Sequence, residues 1–88
     1  MKVLIVIDCQ EEFLAQIKNP WPTLDAIIEE APKYDKVIVV EYKKSGETDP
    51  DIARIADHVV QKDTNDGSDA LKDLLKSLKP TEICLAGL

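Results

Sequence analysis

The chain has 88 residues, a formal net charge of −6 and 44% hydrophobic residues, an ordinary globular composition long enough for one modest core. Its acidic balance and scattered basic residues disfavour nucleic acid and anionic membrane as partners, and no apolar run approaches the ~20 residues of a membrane span. The early apolar run is short and meets an acid at Asp8, unlike a signal peptide, so a cytoplasmic location is expected.

In chain order, Val3-Leu4-Ile5-Val6-Ile7 predicts a strand buried on both faces, as in a parallel sheet. Asp8 follows at its carboxyl end, where open α/β sheets bind ligands. Gln10 reads as a turn amide or a hydrogen-bonding support for such a site. Phe13 reads as a core cap or an apolar pocket wall. Trp21, between Pro20 and Pro22, is expected to pack under a loop. Pro22-Thr23 begins a helix in which Leu24, Ile27, Ile28 and Ala31 recur at helical spacing, and Pro32 ends it.

Val37–Val40 predicts the second strand, with Glu41 at its end facing the same cleft but lacking an identified partner. Ser45-Gly46 is too short a signal for a phosphate loop. The acidic run Glu47–Asp51 reads as a solvated loop leading into a helix, with Asp49 as N-cap and Pro50 at the first helical position. Ile52, Ile55 and Ala56 share one face of that helix. His58–Gln61 predicts the third strand, with His58 a strand residue rather than a catalyst, and Lys62 follows it. Ser68 is expected to cap Asp69–Leu78, whose Leu71, Leu74, Leu75 and Leu78 form one stripe; Pro80 ends this helix. Its acids, Asp69 and Asp73, precede its bases, Lys76 and Lys79, matching the helix dipole. Glu82–Ala86 predicts the fourth strand. Strand–helix alternation of this kind implies an α/β fold: a three-layer, Rossmann-like parallel sheet of about four strands with flanking helices, in one domain spanning residues 1–88.

Two residues stand out chemically. Asp8 reads either as a turn residue bonding nearby amides or as a carboxylate that orients or deprotonates a neighbour. Lys62 reads either as a solvated surface charge or as its partner, because a parallel sheet puts both strand ends on one edge. Such a pair can stabilise a thiolate, move a proton or bind an anionic group. Cys9 and Cys84 sit in apolar settings typical of reduced, buried thiols. With one histidine and no C-x-x-C pair, no metal site is expected. Neither G-x-G-x-x-G nor a Walker A pattern is present, and no cofactor is expected.

The ordered set of motifs resembles the isochorismatase-like cysteine hydrolases. Val3–Phe13 is similar to that family's opening strand with its Asp, Gln and Phe. Val59-Val60-Gln61-Lys62 resembles its strand ending in lysine. Gly67-Ser68-Asp69-Ala70-Leu71 resembles its Gly-Thr-x-Leu helix opening, and Ile83-Cys84-Leu85-Ala86-Gly87-Leu88 the strand leading to its nucleophile loop. The resemblance implies an Asp–Lys–Cys triad acting on a small amide or related substrate. In it, Asp8 activates the thiol, Lys62 stabilises the thiolate, and Gln10 and Phe13 contact substrate. Neither cysteine matches the family's nucleophile position, which lies beyond Leu88, so the chain is expected to be an inactive amino-terminal part of such a domain. The segment Glu41–Asp57 lacks histidine, against a metal cluster and nicotinamide hydrolysis.

The alternative is a non-catalytic binding protein of the same fold that associates through its exposed sheet edge, as a homo-oligomer. A phosphoacceptor receiver domain fits poorly. Lys62 stands where that fold needs an aspartate, and Cys9 where it needs a second acid.

Overall fold

A computed structural model describes residues 1–42, 46–62 and 68–87. The opening apolar run forms β1 (Lys2–Ile7), and its residues Val3 to Val6 are at most 2% exposed. Burial on both faces follows from its place in the sheet. With β2 (Lys36–Tyr42), β3 (His58–Lys62) and β4 (Glu82–Gly87), it forms a four-stranded sheet of order β3-β2-β1-β4. Every pairing is parallel. The fold is therefore α/β with helices on both sheet faces, compatible with a Rossmann-like arrangement.

Alternate residues of β1 feed two cores. Leu4 and Val6 join Val37 and Val39 of β2 beneath α2 (Trp21–Glu30), which supplies Leu24 and Ile27, and α3 (Pro50–Ile55), which supplies Ile52. Val3 and Ile5 join Ile38 and Val40 on the other face. There they meet Leu71, Leu74, Leu75 and Leu78 of α4 (Ser68–Leu78), the stripe read from the sequence. The change of face has a topological cause. The chain steps outward from β1 to β2 to β3, then returns across the sheet to pair β4 with β1. Right-handed parallel crossovers require helices on opposite faces when the direction reverses.

Local chemistry sets the helix limits. Asp49 Oδ2 accepts hydrogen bonds from Asp51 N–H (3.1 Å) and Ile52 N–H (3.3 Å), so it caps α3 as its sequence position suggests. A 3₁₀ turn at Ala31–Lys33 follows α2 and contains Pro32. At the amino ends of the strands, Asp35 accepts from Lys2 N–H and Asp57 from Val37 N–H.

Several expectations need correction. Trp21 does not pack under a loop: it begins α2 and is 60% exposed. Cys84 is exposed, because β4 is an edge strand with nothing beyond it among the described residues. The run Glu47–Asp51 is not wholly solvated, since Thr48 and Asp49 are buried by their hydrogen bonds. α4 begins at Ser68, one residue before the expected start at Asp69. A short helix, α1 (Glu11–Leu14), follows β1 where no helix was expected. Ser45, Gly67 and Leu88 lie outside the described residues.

Candidate functional site

The carboxyl edge of the sheet has a defined focus. β1 connects outward to β2, while its other neighbour, β4, arrives from the opposite direction, so the strand order reverses between β1 and β4. Crevices at such switch points are where open α/β sheets bind ligands. Asp8 leaves β1 at that point with a φ of 61°, a left-handed conformation uncommon for a residue bearing a Cβ. Its N–H still donates to Val40 C=O at 3.2 Å, so the backbone stays tied to the sheet while the carboxylate turns away from strand geometry.

Lys62 reaches Asp8 from two strands away. The register pairs Ile7 with Val40 and Tyr42 with Lys62, which sets Lys62 about one residue beyond the level of Asp8. Strands lie roughly 4.8 Å apart, so the lysine crosses about 10 Å over the end of β2. Its Nζ stands 3.4 Å from Asp8 Oδ1, and the two side chains are only 12% and 25% exposed. That lysine is therefore not a solvated surface charge. Asp8 Oδ1 is itself buried and has no hydrogen-bond partner among the described residues, although it lies within ion-pair range. Among the described residues, the pair leaves the Asp8 carboxylate able to accept a further hydrogen bond.

Gln10 is a hydrogen-bonding support for the connection beside Asp8. It is fully buried, and Tyr42 N–H donates to its Oε1 at 2.6 Å. Its Nε2 donates to the carbonyls of Tyr42 and Gly46, each at 2.7 Å. Both amide donors are thereby occupied. Gln10 holds the β2–α3 connection against the segment that follows Asp8, and Asp49 N–H adds a bond to Cys9 C=O at 2.8 Å. Phe13 lies in α1, half-buried, one turn beyond this clamp.

Glu41 acquires the partners that its sequence left unidentified. Thr48 donates to Glu41 Oε2 through both its hydroxyl (2.6 Å) and its N–H (3.2 Å), and Gln61 Nε2 donates to Oε1 at 3.2 Å. Burial pushes this carboxyl up, but the hydrogen bonds from Thr48 and Gln61 outweigh it and hold the group below the usual glutamate value. Glu41 is an ionised strut, fully engaged in bracing the connection.

Neither thiol joins Asp8 and Lys62 as a nucleophile. Cys9 is 1% exposed and packs into the α2-face core. Burial first, then the negative charges of Asp49 and Asp8, push its pKa up to about 11, which keeps it protonated and inert. Cys84 lies within β4, level with Leu4. It lines a groove beneath α2 rather than the carboxyl edge, together with Tyr34.

Gly87 shapes the crevice and carries no reactive group. At φ 147° it pairs with Ile7, and any Cβ there would run into the Ile7 carbonyl. The ends of β1 and β4 therefore approach closely beside Asp8. A glycine closing an apolar strand was the available signal for this contact. Among the described residues, no group of three or more His, Cys, Asp or Glu could hold a metal ion, and no helix is long and apolar enough to cross a membrane.

No family model, curated protein or solved structure matches the chain.

Proposed function

We propose that the carboxyl edge between β1 and β4 binds a small neutral molecule through the Asp8–Lys62 pair. On this reading it is the acid–base part of an isochorismatase-like cysteine-hydrolase centre. One observation carries the proposal: Lys62 Nζ lies 3.4 Å from Asp8 Oδ1, across an intervening strand, with both side chains largely shielded. A lysine needed only for solubility has no reason to lie along the sheet edge with little exposure.

The chemistry follows from the groups present. The Asp8 carboxylate, whose side chain is 25% exposed, accepts an N–H, O–H or S–H from whatever occupies the crevice, and Lys62 beside its inner oxygen offsets the negative charge that proton transfer leaves behind. An amide supplies the matching donor and acceptor on adjacent atoms. Cys9 is buried and protonated and Cys84 lies on another face, so the 88-residue chain has the pair without a thiol beside it. It is expected to bind without turnover.

The test is a titration of the isotopically labelled chain with benzamide, a small neutral amide, followed by NMR. Shifts centred on Asp8 and Lys62, and lost in both Asp8→Asn and Lys62→Met, support the site. Shifts that survive both substitutions, or no shifts at all, sink it. Hydrolysis of benzamide by the chain, abolished by Asp8→Asn and by Lys62→Met, would overturn the expectation of binding without turnover.

A further inference from the structure

We infer that β4 is a self-association strand, which pairs antiparallel with β4 of a second copy to continue the sheet across a two-fold axis. This inference is independent of the Asp8–Lys62 site. Among the described residues, β4 bonds to β1 along one side only and is an outermost strand of the sheet, so its other side presents N–H and C=O groups that none of them pairs. Exposed edges are usually blunted by lysine, proline or a bulge. The strand Glu82-Ile83-Cys84-Leu85-Ala86-Gly87 has none of these. The opposite edge strand, β3, is shorter and carries His58, Gln61 and Lys62.

Both faces of β4 are apolar and open. Ile83 and Leu85 stand level with Val3 and Ile5, on the α4 face, yet are 47% and 65% exposed. Cys84 and Ala86 stand on the α2 face, where they floor an open groove of about 590 Å³ walled by Ala26, Ile27 and Tyr34. A large apolar surface on both faces of an edge strand marks an interface.

Charge and symmetry select the occupant and its register. Glu82 is the only charged residue of β4. A parallel neighbour of the same sequence would set Glu82 near Glu82, whereas an antiparallel copy puts the two at opposite ends. A two-fold axis perpendicular to the sheet keeps each face continuous, so residues of like parity must pair and the axis passes through a residue pair. With Cys84 on the axis, Ile83 of each copy faces Leu85 of the other, and Glu82 faces uncharged Ala86. All four exposed aliphatic side chains then meet on one face. Directly opposed residues in antiparallel strands have Cα atoms about 4.5 or 5.5 Å apart, and both spacings lie within disulfide reach.

The test uses the 88-residue chain. Sedimentation and native mass measurements are expected to show a concentration-dependent dimer that tightens with added salt, because each copy carries a charge of −6. Leu85→Lys is expected to weaken association at least about tenfold while leaving the circular dichroism unchanged, since Leu85 is exposed within the protomer. Diamide, which takes up the two electrons and two protons released when two thiols join, is expected to trap a Cys84–Cys84 disulfide in Cys9→Ala but no dimer in Cys84→Ala. Amide exchange along β4 should slow as dimer forms. A monomer at all accessible concentrations overturns the inference, as does a dimer that survives Leu85→Lys. A monomer that binds the apolar dye ANS in the α2–β4 groove overturns it in favour of a small apolar ligand.

Discussion

Asp8 holds a φ of 61°, and a non-glycine residue in a sparsely populated region costs on the order of 1–3 kcal/mol. The bonds around it offset that cost: its own N–H to Val40, the Gln10 amide to Tyr42 and Gly46, and Asp49 N–H to Cys9. Glu41 braces the same connection, and its titration makes the brace sensitive to acid. Its folded value lies below the ordinary 4.5. The stability it contributes is therefore present above that ordinary value and is lost as pH falls through the folded one. Replacing it by glutamine should cost about 1 kcal/mol near neutral pH, with wild type and Glu41→Gln converging as the solution becomes acidic. Urea denaturation across the acid range checks this, and a constant difference at every pH would count against it.

Among the elements, α3 is short and depends on its cap. Asp49→Ala removes the acceptor of two N–H bonds and should destabilise the chain by about 0.5–2 kcal/mol, read from the urea midpoint. An unchanged midpoint would show that α3 stands on packing alone. This cap was legible beforehand because Asp-Pro carries its mechanism locally. The four strands and the leucine stripe of α4 were legible for the same reason, as their apolar patterning is set within each segment. What escaped was decided between segments. Thr48 reads as a loop residue until Glu41 supplies an acceptor from β2, and the groups that Gln10 supports, at Tyr42 and Gly46, lie more than thirty positions away. Cys84 has the apolar neighbours of a buried thiol, but burial needs a strand beyond it, which local sequence does not report. The Asp8–Lys62 pairing was legible because a parallel sheet brings the ends of its strands to one edge.

At the scale of the whole molecule, the protein is a slab with principal extents of 36, 29 and 17 Å and a radius of gyration of 12.4 Å, close to the ~12 Å of a compact chain this long. Its two cores are separated by the sheet, so β1 and β2 contribute to both while each helix layer contributes to one. Truncation in the middle of the sheet should therefore cost more than truncation at either rim. Ile38→Ala, at a fully buried position, should lower stability by about 2–5 kcal/mol, whereas Val59→Ala, on the outer strand and half-exposed, should lower it far less. Equal losses in calorimetry would show that the two strands matter alike.

The place of β1 at the centre of the sheet also has a consequence during synthesis. It leaves the ribosome before either of its neighbours, β2 and β4, and Met1 finds Thr81 only across 80 positions of chain. Closing such long loops is slow compared with forming local turns. This apolar segment must therefore wait, half-covered, until β4 has been translated, and in that interval it is a segment a chaperone would grip.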